Sequence, residues 1–117
     1  MKLYPLAVVA ALATALTVVG GAAARPSAVT ATTVQVTAKD FFFRLSTKTV
    51  RHGRVTFVIK NGSSAVHNFE IAGRKSKMIG PGKTTRLTVT LKRGRFPYKC
   101  TVDSHAELGM KGVLRVT

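Results

Sequence analysis

Apolar residues recur at every second position along most of this chain, a period that suits a pleated strand and defeats a helix. The cleanest run places Thr85, Leu87, Val89 and Leu91 in alternation with Thr84, Arg86, Thr88 and Thr90. Val34 and Val36 alternate with Gln35 and Thr37, and Val55, Phe57 and Ile59 alternate with Thr56, Val58 and Lys60. Phe41, Phe43 and Leu45 share one parity. So do Phe96, Tyr98 and Cys100, and so do His67, Phe69 and Ile71 in a strand expected over Val66 to Ala72. Leu114 and Val116 face one way in a last strand, Lys111 to Thr117. Turns are expected at Arg51-His52-Gly53-Arg54, Asn61-Gly62-Ser63-Ser64, Gly80-Pro81-Gly82 and Lys92-Arg93-Gly94. Only Ala106 to Met110 has room for a single helical turn. Seven or eight short strands with this punctuation predict an all-β sandwich.

The N-terminus stands apart from that pattern. Lys2 precedes an apolar run from Leu3 to Val19, and Ala22-Ala23-Ala24 offers a small-residue cleavage site before Arg25. Residues 1–24 read as a secretory signal peptide. Because no charge interrupts Lys2 to Arg25, an uncleaved anchor is the alternative. Residues 25–33 are Ala, Thr, Ser and Pro without periodicity and read as a linker, which leaves 34–117 as one domain. The expected location is periplasmic or extracellular, with a membrane tether if cleavage does not occur.

The full chain carries 19 Lys and Arg against 4 Asp and Glu, and loss of residues 1–24 would remove only Lys2 from that balance. Such a charge raises the question of nucleic acid. The export signal argues against it, and neither a helix-turn-helix pattern nor an aromatic-basic RNA motif is present. Most cations interleave with strand positions as a solvated face. They also suit steering toward an acidic redox partner, or adhesion to an anionic membrane or wall. The expected state is a monomer.

One cysteine cannot make an intrachain disulfide, and a lone thiol in an oxidising compartment needs an occupant. Cys100 opens the spacing Cys100-x4-His105-x4-Met110, and a second imidazole, His67, lies upstream. Two imidazoles and a thiolate in one plane, with a weak axial thioether, form the ligand set of a blue-copper site. Parity turns His67 and Cys100 inward, and soft donors suit an ion that cycles between Cu(II) and Cu(I). Structural zinc would favour closely paired cysteines, and a binuclear copper centre would need a second bridging cysteine. A Cys-His nucleophile would draft in Asp103 or Glu107 and leave Met110 without a role. Asn68 is placed to hydrogen-bond toward Thr101. His52 reads as solvated and Met78 as core or rim packing. Asn61-Gly62-Ser63 fits both a turn and a glycosylation sequon.

From Val34 to Thr117 the chain resembles the cupredoxin superfamily, in its small exported bacterial plastocyanin/azurin-like branch. The residues that carry the resemblance are Val66-His67-Asn68-Phe69, Ile79-Gly80-Pro81-Gly82-Lys83-Thr84, Tyr98-x-Cys100 and His105-x3-Gly109-Met110-x-Gly112-x-Leu114-x-Val116. The resemblance implies a Greek-key β-sandwich with one type 1 copper held by His67, Cys100, His105 and Met110. It implies that His105 is the electron exit, ringed by Ala106, Leu108 and Gly109, and that Asn68 ties the two ligand segments together. Val66 stands where azurins have a glycine that adds a backbone carbonyl ligand. Asp103-Ser104 stands where many relatives have Pro-Gly, so the loop is expected to be less stiff. The expected function is single-electron carriage, with no enzymatic reaction. Delivery of copper and metal-free adhesion are the alternatives.

Overall fold

The computed structural model describes residues 31–117 and, upstream, residues 2, 3, 11, 13–15 and 20. The segment expected to be a signal peptide or anchor, and residues 25–30 of the expected linker, thus lie largely outside the described residues. Among the described residues, no helix is long and apolar enough to cross a membrane.

Nine strands form two sheets, two or one more than the periodicity predicts. They are β1 (Thr32–Lys39), β2 (Phe42–Leu45), β3 (Thr49–Val50), β4 (Gly53–Asn61), β5 (Glu70–Ile71), β6 (Arg74–Lys75), β7 (Thr84–Leu91), β8 (Gly94–Lys99) and β9 (Lys111–Val116). One sheet has the order β2-β1-β4-β7 and the other β3-β9-β8-β5-β6. β1 and β4 pair in parallel, as do β3 and β9, while the other pairs are antiparallel. The inward parity holds: Val34, Val36, Val55, Phe57, Ile59, Val89, Leu91, Leu114 and Val116 are all buried between the sheets. Removing this apolar surface from water is the main force that joins the sheets. Phe69 lies at the centre, stacked on Tyr98 at 5.4 Å and edge-on to Phe43 at 5.2 Å. It sits two residues from His67 and so anchors the backbone that carries that imidazole.

Three boundaries differ from the sequence expectation. β1 starts at Thr32, inside the expected linker, because Thr32 and Thr33 already pair with Val55 and Thr56. The turn expected over 51–54 is shorter, since Gly53 and Arg54 pair with Leu91 and Thr90 and so open β4. The strand expected over Val66 to Ala72 is broken. His67 makes only an isolated bridge to Ile79, and pairing resumes at Glu70. The Phe69 amide donates to the Ser76 hydroxyl at 2.9 Å, so a side chain takes the place of a neighbouring strand. Ala72 and Gly73 then close a two-residue hairpin with φ of 51° and 72°. Such primed turns need two left-handed residues, and alanine gave no hint of one.

Three points of the five-stranded sheet lie at one end of the sandwich: the end of β8, the start of β9 and the segment that leads into β5. Cys100 follows β8, Met110 precedes β9, and His67 precedes β5. The sandwich is the frame and this end is the site.

Candidate metal centre

Three donor atoms converge there. His67 Nδ1 and His105 Nδ1 are 3.2 Å apart, and Cys100 Sγ lies 3.9 Å from the first and 3.7 Å from the second. A point equidistant from the three lies about 2.1 Å from each, the length of a bond from nitrogen or sulfur to a first-row metal. His67 and Cys100 are buried, and His105 is half-buried. Among the described residues this is the one cluster of His, Cys, Asp and Glu side chains close enough to share an ion. Two imidazoles and a thiol with no carboxylate in reach select a soft or borderline metal over calcium or magnesium. Met110 is fully buried at the same end. Its amide donates to the His105 carbonyl at 3.1 Å, and its own carbonyl accepts from the Cys100 amide at 3.0 Å. The backbone therefore stitches three of the four predicted site residues to one another.

The loop from Thr101 to Gly109 is braced by backbone hydrogen bonds of its own. The His105 amide donates to Val102, Leu108 donates to Ser104 and His105, and Gly109 donates to Ala106. Asp103 takes a left-handed φ of 42°, which aspartate tolerates better than most residues. Gly109, at φ 119°, reaches a region that other residues avoid, and a Cβ there would stand 3.2 Å from the Phe41 carbonyl. Asn68 makes the expected link: its amide nitrogen donates to Thr101 Oγ1 at 2.6 Å, and its oxygen accepts from the Thr101 amide at 2.7 Å. This two-bond clamp fixes the distance between the His67 and Cys100 segments.

The sequence did not reveal what holds His67 itself. Its Nε2 donates to Ser63 Oγ at 2.8 Å and to Asp40 Oδ1 at 3.2 Å, which leaves Nδ1 as a lone pair aimed at Cys100 and His105. Such outer contacts set a metal-binding histidine's tautomer and basicity. Ser63 is in turn fixed by Asn61, whose Oδ1 accepts from the Ser63 hydroxyl at 2.7 Å and from its amide at 3.0 Å. Asn61 Nδ2 donates to the carbonyls of Ala65 and Ile79, both at 2.7 Å. With both ends of its amide engaged and no exposure, Asn61 is a structural hub rather than a glycan acceptor. Phe41 covers the two imidazoles, its ring 6.3 Å from His67 and 4.8 Å from His105. Met78 is outside the core, 63% exposed, because the bridge at the inward Ile79 leaves the preceding residue facing outward. His52 is exposed as expected, and its Nδ1 lies 3.0 Å from the Thr117 carbonyl.

Burial pushes the His67 imidazolium below its ordinary pKa, the charge on His105 adds to this, and the hydrogen bond and charge of Asp40 oppose it. Desolvation works to raise Asp40, but its contacts with His67, Ser63 and Ser64 outweigh that and hold it below the usual carboxylate value. The unfolded chain therefore binds the imidazole proton more tightly than the folded metal-free protein does. Its stability should fall as pH drops below the ordinary imidazole range. The Asp40 contribution is present above the ordinary carboxylate value and is lost as pH falls through the lower folded value. Asp40→Asn should remove that acidic-range loss and move the His67 titration to still lower pH. NMR titration of the imidazole protons in both proteins checks the shift, and an upward movement would contradict it.

A family profile described as a cupredoxin-like domain matches residues 7–116. No protein of curated function matches the chain in sequence. Among solved structures, the chain is similar to reduced auracyanin from the photosynthetic bacterium Roseiflexus castenholzii. Identity is 24% and the TM-score 0.64, over 74% of this chain and 97% of that one. It is also similar to auracyanin A, a "blue" copper protein from Chloroflexus aurantiacus, at 19% identity and a TM-score of 0.62, over 75% of this chain and all of that one. A copper nitrite reductase from Nitrosomonas europaea aligns at 23% identity and a TM-score of 0.60, over 74% of this chain and 41% of that larger one. The match over nearly the whole chain, with one thiol and two imidazoles converging at the end of a two-sheet sandwich, establishes that the chain belongs to the cupredoxin-like family, whose cofactor is one copper ion.

Proposed function

We propose that this protein is an exported carrier of single electrons, with copper held by His67, Cys100, His105 and Met110. The observation that carries the reading is the triangle of Cys100 Sγ and two Nδ1 atoms, with sides of 3.2, 3.7 and 3.9 Å. Copper bound there supplies a one-electron couple between Cu(II) and Cu(I). The protein's part is to hold the donors still, because a site that does not rearrange presents a small barrier to electron transfer. The Asn68 clamp, the Ser63–Asp40 pair on His67 and the backbone bonds among Cys100, His105 and Met110 all serve that end. The Met110 thioether would be the weak fourth donor and would tune the potential.

His105 is the electron exit. It is half-buried where the other two donors are closed off, and the apolar side chains of Val66 and Leu108 stand exposed on the same end, 42% and 60%. A partner docked on this rim comes close to the imidazole without crossing the core. Lys39, Lys99 and Lys111 surround the rim and suit an acidic redox partner. The protein works as a monomer and does not itself catalyse a reaction. Export follows from the apolar run of residues 3–19 and the Ala-x-Ala site in the sequence.

Electron carriage and copper delivery differ in exchange. Copper-loaded protein should give a reversible one-electron voltammetric wave and keep its metal against a Cu(I) chelator over the same period. Rapid loss of copper to the chelator, with no reversible wave, would assign the protein to delivery.

A further inference from the structure

The chain's four acidic residues are confined to one half of the sandwich, the copper-end half. Asp40 is against His67, Glu70 is opposite Lys99, and Asp103 and Glu107 are in the ligand loop. The opposite pole gathers Lys48, Arg51, Arg54, Lys92, Arg93, Arg95 and Arg115, every one exposed. The only two ion pairs among the described residues, His67–Asp40 and Lys75–Glu70, are both in the copper-end half. Arg95 and Arg115 are direct cross-strand partners in the β8–β9 ladder. Like charges in that position destabilise a sheet. The pair lines one hollow with Gly94 and Val116, and Arg51, His52 and Arg93 line another beside Thr117. Five of the seven cations are arginine, whose planar fork matches phosphate oxygens. An arrangement that costs the isolated fold stability, with no acidic side chain paired to it among the described residues, points to an external anion.

The topology says which anion. β1 opens at Thr32 opposite Val55, beside Gly53 and Leu91, so the chain enters the sandwich at the arginine pole. The upstream run from Leu3 to Val19 is apolar and uncharged in sequence, and the residues between it and Thr32 reach at most about 40 Å. A bilayer that receives this run, during export or as an anchor, lies within that distance of the pole. We propose that the arginine pole seats the protein on anionic phospholipid headgroups, with the copper end turned away toward its redox partner. The identity of the anion rests on the exported reading above, while the charge segregation does not.

The test uses the full chain, copper-loaded, with vesicles of phosphatidylcholine alone and vesicles that also contain phosphatidylglycerol. The apolar N-terminus is common to all variants, so the readout is the ratio of affinities for the two vesicles. The wild type should prefer the anionic vesicles. R115E and, separately, R51Q/R93Q should each reduce that preference about 25-fold, since each cation near such a surface contributes about a five-fold factor. R115E should at the same time raise the melting temperature, because it turns a repulsive cross-strand pair into an attractive one. K60Q/K83Q, at the copper end, should leave the preference unchanged. Equal loss in K60Q/K83Q would show a diffuse charge effect and overturn the proposal. So would a wild type that ignores phosphatidylglycerol yet binds polyglutamate through the same arginines, which would assign the pole to an acidic protein. Colour on copper loading is scored independently in every variant, so failure of the seating and failure of the copper site are distinguishable.

Discussion

Asn61→Ala should destabilise the metal-free protein by about 3–5 kcal/mol. The residue is fully buried and its amide makes four hydrogen bonds: two donated to the carbonyls of Ala65 and Ile79, two accepted from Ser63. Truncation removes all four and strands the buried Ile79 carbonyl, while the half-buried Ser63 and Ala65 groups lose their fixed partner. A net bond contributes about 1 kcal/mol, and an orphaned buried partner adds a further penalty. The effect should reach the metal site, because Ser63 loses the contact that aims its oxygen at His67 Nε2. Denaturant unfolding of wild type and variant measures the first effect, and the rate of copper loss to a chelator measures the second. A change below about 1 kcal/mol would mean that Asn61 is not the hub of this corner.

Gly112→Val should cost about as much, roughly 3–5 kcal/mol, for a steric reason. Gly112 is the cross-strand partner of Tyr98, and a Cβ there would overlap the Tyr98 hydroxyl and ring carbons. The tyrosine cannot retreat easily: it is 3% exposed, stacked on Phe69 and edge-on to Phe43 at 6.0 Å. Displacing it would disturb the aromatic cluster two residues from both His67 and Cys100. The double variant Tyr98→Leu with Gly112→Val should lose less than the sum of the two single changes, because one substitution removes the clash the other creates. Additive losses would show that the clash is relieved by backbone movement instead.

The period-2 pattern was enough to place the inward faces of β1, β4, β7, β8 and β9, because alternation reports directly on which side of a sheet meets the core. Cys100, His67 and His105 were legible as a group because their side-chain chemistry is unusual in a chain with a single thiol. Asn68 was legible from its position after His67. The short strands were not. Around His67 the ladder bonds are replaced by side-chain bonds from Asn68 and Ser76, and no periodicity records that exchange. Ala72 adopts a left-handed turn that its residue type does not advertise. Ser63 and Asn61 read as turn residues and Asp40 gave no signal, because their roles exist only when the ends of β1 and β4 are brought beside the His67 segment, 27 residues from Asp40 in sequence. The confinement of the acidic residues to one half, away from the arginine cluster, was likewise invisible in a net count, since it depends on which strand ends meet.

The optical spectrum of the copper-loaded protein tests the central claim most directly. Thiolate bound to Cu(II) in a plane with two imidazoles absorbs strongly in the visible through charge transfer from sulfur. The protein should turn intensely blue on addition of Cu(II), lose the colour on addition of dithionite and regain it in air. Cys100→Ala should bind at most a pale complex. An intact, folded wild type that takes up Cu(II) and stays colourless would contradict the account.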